Sequence, residues 1–177
     1  SGLVGSEMCI RDRSKNDYAV MRGCVETLEA FSVPYEILIS SAHRSPERTK
    51  EYIKKAEKKG AQAFIAAAGM AAHLAGALAS TTVKPVIGVP MSSSELSGVD
   101  ALYSTVQMHA GMPVATVAIG SAGAINSAYL AMQILALRNE ELAIKLLEDR
   151  VAKAKKVEMD SLAVSYTHLT LPTTRLV

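Results

Sequence analysis

Residues 63–80, AFIAAAGMAAHLAGALAS, decide the fold. Ala63-Phe-Ile-Ala-Ala67 is apolar at every position, so it offers no face to solvent and reads as a strand covered on both sides, as strands of parallel sheets are. Gly69 marks a turn. Residues 71–80 follow as a helix of small side chains, which lets its backbone lie close to the sheet. Strand, turn and covering helix in direct succession make up the repeating unit of an α/β layer structure.

Outward from this unit the same alternation runs over residues 18–156. Towards the N-terminus, residues 18–31 carry Val20, Met21, Cys24, Val25, Leu28 and Phe31 at helical spacing, and Val33-Pro34 breaks the pattern. Tyr35-Glu-Ile-Leu-Ile-Ser40 reads as a strand. The next helix takes Ser45 as N-cap and Pro46 at its first position, and Gly60 ends it. Towards the C-terminus, residues 85–89 and 114–119 read as strands, 91–98 as a serine-rich loop, 99–108 as a short helix and 124–136 as a longer one. The last helix, 140–157, places Leu142, Leu146, Leu147, Val151, Ala154 and Val157 on one stripe, suited to a neighbouring subunit. A chain of 177 residues with this pattern is one α/β domain, a parallel sheet between helices.

Both ends depart from the pattern. The strand before the first helix of such a sheet is normally central and apolar, yet residues 5–13 offer only Met8-Cys9-Ile10 among polar neighbours. Residues 164–177 show no helical period, carry Pro172 and read as a tail.

Composition narrows the partner. Nineteen basic and seventeen acidic residues are interspersed and leave a net charge of +2, which gives no electrostatic footprint for nucleic acid or an anionic membrane. The longest apolar stretch, 63–72, is about half the roughly 20 residues a membrane span needs. Cys9 and Cys24 form neither a disulfide framework nor a metal-type spacing, which points to a reducing compartment. Residues 1–13 lack the features of a signal peptide, so the cytoplasm is the expected location, with a small molecule as partner.

Several residues could carry chemistry. His43 lies between a strand and a helix N-terminus, the edge where open α/β sheets bind ligands, and could transfer a proton there or satisfy loop backbone. Arg44 beside it suits a phosphate or a surface ion pair. The segment 66–76 lets backbone N–H groups approach an anionic or planar ligand, and equally suits tight helix-to-sheet packing. His73, three residues into the expected helix, reads as packed, capping or catalytic. Ser14 and Asp17 could cap the first helix or bind a phosphate or sugar hydroxyl. Asp100 and Ser92-Ser-Ser94 suit a solvated turn as well as a site. No HExxH, GxSxG, P-loop or complete GxGxxG occurs, which removes the common protease, esterase, NTPase and dinucleotide readings.

Taken in order, a set of segments resembles a known family. These are Ser41-Ala-His-Arg44 with Pro46, Ala71-Ala-His-Leu74 with Gly76, Pro85-Val-Ile-Gly-Val-Pro90, Gly98-Val-Asp100, Ser104 with Val106-Gln-Met108, and Pro113-Val-Ala-Thr-Val-Ala-Ile119. They resemble the PurE family, the 5-(carboxyamino)imidazole ribonucleotide mutases of purine biosynthesis, over residues 14–157. The resemblance implies a three-layer α/β/α, flavodoxin-like single domain, assembled as a homo-octamer. It implies movement of a carboxylate from the exocyclic nitrogen of the imidazole ribonucleotide to ring carbon C4, without metal, ATP or organic cofactor. His43 matches the proton-transferring histidine. Ser14 and Arg44 match the phosphate-holding positions, Asp17 the ribose position, and Ser41 and Ala42 the site floor. Ala67, Ala68, Gly69, Ala72, His73 and Leu74 match the pocket wall.

Ala-Ala-His-Leu and Val-Gln-Met resemble the bacterial mutase branch rather than the animal-type direct carboxylases. Departures are confined to a few positions. The family usually has Gly-Ser-x-Ser-Asp where this chain has Arg13-Ser-Lys-Asn-Asp17, commonly Gly-Gly at Gly69-Met70, and proline at Ala75 and His109. The first change removes the glycine that lets backbone approach a phosphate. SEMCIRDR and VSYTHLTLPTTR resemble translated sequencing-adapter read-through, so the expected division is a foreign leader over 1–13, a catalytic domain over 14–160 and a foreign tail over 161–177. Two other readings follow from the same residues: a non-catalytic nucleotide-binding or assembly subunit, and a carboxylase using CO2 directly.

Overall fold

The computed structural model describes residues 7–11, 15–39 and 43–169. Five parallel strands form one sheet: β1 (Glu7–Arg11), β2 (Tyr35–Ile39), β3 (Phe64–Gly69), β4 (Val86–Met91) and β5 (Ala115–Thr116). Their spatial order is β2-β1-β3-β4-β5. Between and after them come α1 (Lys15–Ala30), α2 (Pro46–Lys59), α3 (Leu74–Ala79), α4 (Val99–Val106), α5 (Ser121–Ala136) and α6 (Glu140–Leu169).

The sheet buries apolar residues on both faces, and alternation along β3 sorts them. Phe64, Ala66 and Ala68 point to a core with Ile53, Ala56, Leu74 and Leu78 of α2 and α3. Ile65 and Ala67 point to the opposite core with Met21, Cys24 and Leu28 of α1, Ala124, Ala128 and Met132 of α5, and Leu142 and Leu146 of α6. Two layers of helices thus cover one sheet, the three-layer α/β/α domain that the alternation implied.

The first strand is a correction to composition. Glu7–Arg11 has too few apolar residues to read as a central strand, yet it pairs with β2 from Glu7↔Tyr35 to Arg11↔Ile39 and with β3 from Met8↔Phe64 to Arg11↔Ala67. Backbone N–H and C=O groups belong to every residue, so two open ladders on either side can hold a strand whose side chains argue weakly for it.

Helix α2 ends as expected. Gly60 adopts a left-handed conformation (φ +100°), its N–H bonds to Glu57 O, and Ala61 N–H bonds to Ala56 O with both alanines buried, which is the Schellman pattern. Helix α1 ends the same way on a residue with a Cβ: Ser32 has φ +57°, with Val33 N–H bonded to Leu28 O.

Strand β5 is shorter than the expected 114–119. Beyond Thr116, Val117 N–H still donates to Gly88 O and Gly120 N–H to Pro90 O. Pro90 has no N–H to return, so the regular ladder stops there while the edge stays attached. Helix α5 starts at Ser121, three residues earlier than expected, because Gly120 (φ +73°, ψ −143°) makes the entry turn.

The last helix runs on to Leu169 and does not stop near Val157, so residues 164–169 are helical and not the irregular tail their composition suggested. Only part of its stripe meets the body: Leu142 and Leu146 are buried, while Leu147, Val151 and Val157 are exposed. Tyr129 of α5 donates to Asp149 (2.9 Å) and accepts from Lys153, which ties α6 to the domain. The rest of the expected tail, 170–177, lies outside the described residues.

Close approach of α5 to the sheet edge needs Gly123, since a Cβ there would lie 1.7 Å from Ala118 O and 2.7 Å from its carbonyl carbon. Backbone atoms cannot swing aside as a side chain can. Gly123→Ala is expected to cost about 3 kcal/mol of overpacking against about 1 kcal/mol gained in helix propensity. At this chain length the net loss corresponds to a fall of about 4–8 °C in the thermal midpoint, read by calorimetry. An unchanged midpoint would show that α5 does not seat against Ala118.

Candidate active site

The strand order creates a crevice. Leaving β1 the chain moves to β2 on one side, and after α2 it returns to β3 on the other, so the topological switch point lies between β1 and β3. Ligands of open α/β sheets bind at such a point, outside the carboxyl ends of the strands. Register sharpens this. Strand β1 stops level with Ile39 and Ala67, whereas β3 continues through Ala68 and Gly69, paired there with Pro90 and Met91 of β4. The β1 side of Ala68 and Gly69 therefore has no ladder partner among the described residues.

Two histidines meet over this edge. His43 sits in the turn after β2 and His73 caps α3 just after β3. Strands β2 and β3 are separated by β1, roughly 10 Å apart at two strand spacings. The two side chains span that gap: His43 Nε2 lies 2.8 Å from His73 Nδ1, with ring centroids 5.0 Å apart and ring planes tilted by 58°. Both rings are exposed. A hydrogen bond between two imidazole nitrogens carries one proton, donated by one ring and accepted by the other, so the protonation of the two facing nitrogens is linked. The opposite nitrogen of each ring remains for a ligand.

The wall beside the pair is backbone. Ala67, Ala68 and Ala72 are 1%, 5% and 3% exposed, with their methyl groups turned into the two cores, and Gly69 has no side chain. Ala72 N–H folds back onto Gly69 O (3.2 Å). Leu74 is likewise buried in the core with Ile53 and Phe64, so its side chain serves packing and only its backbone remains near the histidines. His73 is not inside the helix, as expected from sequence, but precedes it; its carbonyl accepts Ala77 N–H (2.9 Å).

Arg44 follows His43 in the same exposed turn. Asp17 lies in the first turn of α1. Ser14, Ser41 and Ala42 lie outside the described residues. The structure therefore brings together His43, Arg44, Ala67, Ala68, Gly69, Ala72 and His73. The partnership of the two histidines was not legible in the sequence, where thirty positions separate them. A shared signal existed: each stands between the end of a strand and the start of a helix. Among the described residues no group of three His, Cys, Asp or Glu side chains could hold a metal ion. The pocket between 79–86 and 111–115 opens at the other end of the sheet, where β4 and β5 begin, and contains none of these residues.

The family profile described as AIR carboxylase matches residues 7–156. The chain belongs to the AIR carboxylase family. Relatives named N5-carboxyaminoimidazole ribonucleotide mutase agree closely with it: that of Pyrococcus horikoshii is 52% identical over 145 residues, covering 82% of this chain and 81% of the relative. That of Escherichia coli K12 is 49% identical over 144 residues, covering 81% and 85%. Among solved structures, PurE of Treponema denticola superposes with a TM-score of 0.80 at 26% identity, covering 89% of this chain and 98% of the other. The flavodoxin-like parallel architecture is thus that of an AIR carboxylase family member.

One residue of the pocket lip is unusual for a position with a Cβ. Met70 has φ +57° and is 59% exposed, where the resembled motif commonly has a second glycine. The left-handed conformation costs a residue with a Cβ about 1–2 kcal/mol, partly offset by the lower unfolded-state entropy that any non-glycine residue has. Met70→Gly is expected to raise stability by a net of about 0.5–1 kcal/mol, seen as a thermal midpoint higher by about 1–4 °C. A lower midpoint would mean that the methionine side chain packs against something worth more than the strain.

Proposed function

We propose that this protein converts 5-(carboxyamino)imidazole ribonucleotide to 5-amino-4-imidazolecarboxylate ribonucleotide in de novo purine biosynthesis, with His43 as its proton-transfer group. The observation that carries this reading is the His43–His73 pair at the switch-point crevice, beside a wall of backbone. The names of relatives about half identical over four fifths of the chain support the mutase in preference to direct carboxylation.

In the first step the bond between the exocyclic nitrogen and the carboxylate carbon breaks, releasing CO2, and His43 gives a proton to that nitrogen. The products held in the site are aminoimidazole ribonucleotide and CO2. Ring carbon C4 then attacks CO2, forming the carbon–carbon bond, and the C4 proton passes back to His43. Protons and electrons balance over the cycle, so an imidazole able to give and accept a proton near neutral pH suffices for the acid–base work. His73 holds the His43 ring in one orientation through the 2.8 Å contact. The stretch of wall at Ala67, Ala68, Gly69 and Ala72 carries no polar side chain of its own, which disfavours water beside the CO2 that would otherwise be lost to solvent.

In this reading Arg44 and Ser14 hold the 5′-phosphate and Asp17 the ribose hydroxyls. Ser41 and Ala42 form the floor, and Ala67, Ala68, Gly69, Ala72, His73 and Leu74 the wall, Leu74 through its backbone. The protein acts in the cytoplasm as a homo-octamer, a reading supported by the exposed apolar residues Leu147, Val151 and Val157 on α6. In this reading the catalytic domain spans 14–160, with 1–13 and 161–177 foreign to the source gene and Glu7–Arg11 taking the place of the family's first strand in the sheet; recovery of the same ends from genomic DNA would sink that division.

His43→Asn is expected to bind aminoimidazole ribonucleotide with wild-type affinity in a calorimetric titration and to lose about 10²–10⁴-fold in mutase turnover. Equal turnover in both proteins would remove His43 from the chemistry. Arg13-Ser-Lys-Asn-Asp17, which lacks the usual phosphate-turn glycine, favours a second reading, a non-catalytic nucleotide-binding subunit. Detectable wild-type turnover excludes that reading, and product formation from aminoimidazole ribonucleotide and bicarbonate, without the N-carboxylated substrate, would instead identify a direct carboxylase.

A further inference from the structure

The serine run after β4 has no part in the mechanism above, yet its geometry is specific. Ser94 Oγ donates to Asp100 Oδ1 (2.7 Å), and Ser97 N–H donates to Ser94 O (3.0 Å). Gly98, at φ +88°, packs so closely that a Cβ there would lie 3.1 Å from both Met91 O and Ser92 Cα. These contacts pin the loop at both ends. Between them Ser93 is placed against the pocket wall: its Oγ lies 1.9 Å, and its Cβ 3.3 Å, from where a Cβ of Gly69 would be. Side chains alternate along β3, so this side of Gly69 is the α1–α5 side of the sheet, shared with Met91. Helices α2 and α3, which the histidines precede, lie on the other side.

Ser94 has a carboxylate partner; the Ser93 hydroxyl makes no hydrogen bond among the described residues and is exposed. An unpartnered hydroxyl held against a glycine at the ligand edge is a hydrogen-bonding group offered to whatever lies over that glycine. From this we infer that Ser93 is a substrate-binding residue, donating a hydrogen bond to an oxygen of the ribonucleotide from the wall opposite the histidine pair. Gly69 is the residue that makes room for it. The inference rests on the mutase reading for the identity of the ligand, and on the Ser93–Gly69 geometry for the contact.

The test is calorimetric binding of aminoimidazole ribonucleotide and of its dephosphorylated nucleoside to the full chain. Ser93→Ala is expected to weaken the ribonucleotide about tenfold, the usual loss for one hydrogen bond to a polar or charged group, with an unchanged thermal midpoint. Ser92→Ala, which alters the neighbouring exposed hydroxyl, is expected to bind as wild type does. If nucleoside affinity is unaffected by Ser93→Ala, the hydroxyl meets the phosphate; if both ligands weaken alike, it meets the ribose or base. Equal ribonucleotide affinity in wild type and Ser93→Ala would overturn the inference while leaving the mutase reading intact. Failure of the wild-type chain to bind the ribonucleotide would instead strike at that reading. Gly69→Ala supplies an independent arm: by displacing Ser93 Oγ it is expected to weaken the ribonucleotide in wild type and to add little in the Ser93→Ala background.

Discussion

The site depends on β1 lying between β2 and β3. That placement is a constraint on distance. Loops leaving β2 and β3 start two strand spacings apart, and only side chains reaching inward from both can close the gap over the end of β1. His43 and His73 do so with a single 2.8 Å contact. Had β2 and β3 been adjacent, the same two histidines would stand over a closed ladder, with no switch-point crevice beneath them. Strand β1 pairs with β3 as far as Arg11↔Ala67, so among the described residues Ala68 and Gly69 have no ladder partner on that side. A strand with weak apolar character is tolerable there because its role is to hold two ladders and then end.

Small residues set the other dimension of the site. Packing of α5, α4 and the β4–α4 loop onto the sheet is limited at Gly123, Gly88 and Gly69, where a Cβ would approach Ala118 O to 1.7 Å, Thr105 Cγ2 to 2.4 Å and Ser93 Oγ to 1.9 Å. The first two contacts bring helices close enough to exclude water from the core. The third seats the exposed Ser93 on Gly69, at the wall proposed for the ligand. Alanine at 67, 68 and 72 belongs to this scheme, because a methyl group turned into the core leaves the peptide plane as the surface a ligand meets. The packing reading of the segment 66–76 is thus borne out, and the proposed function uses the same backbone as its ligand wall.

Strain is distributed unevenly. Ser32 and Met70 adopt left-handed conformations at φ +57°, yet in different settings. Ser32 closes α1 in a Schellman turn whose flanking residues, Leu28 and Val33, are buried, so packing offsets the strain. Met70 stands exposed at the pocket lip, where no comparable burial offsets it. Strained residues persist where the surroundings over-determine them and are common near functional sites.

Most of the architecture was legible because hydrophobic period is a local property. The all-apolar run 63–67, the Pro46 and Gly60 boundaries of α2 and the stripe of α1 each follow from neighbouring residues alone. So did the position of His43, at the end of a strand and before a helix. The failures were those where partners distant in sequence decide. Composition argued against β1, and two open ladders overrode it. Residues 114–119 read as a full strand, and the missing N–H of Pro90 on the neighbouring strand cut the ladder short. Asp100 and Ser92-Ser-Ser94 were indistinguishable from a solvated turn until Ser94 was seen bonded to Asp100 and Ser93 lying on Gly69. Sequence by itself determined that this is a one-domain α/β protein with a histidine at the ligand edge, since those facts are written in residues a few positions apart. Only the tertiary structure decided that His73 is the partner of His43 and that Ser93 lies on Gly69 from the opposite side, because residues 30 and 24 positions apart meet only once the sheet has set their spacing.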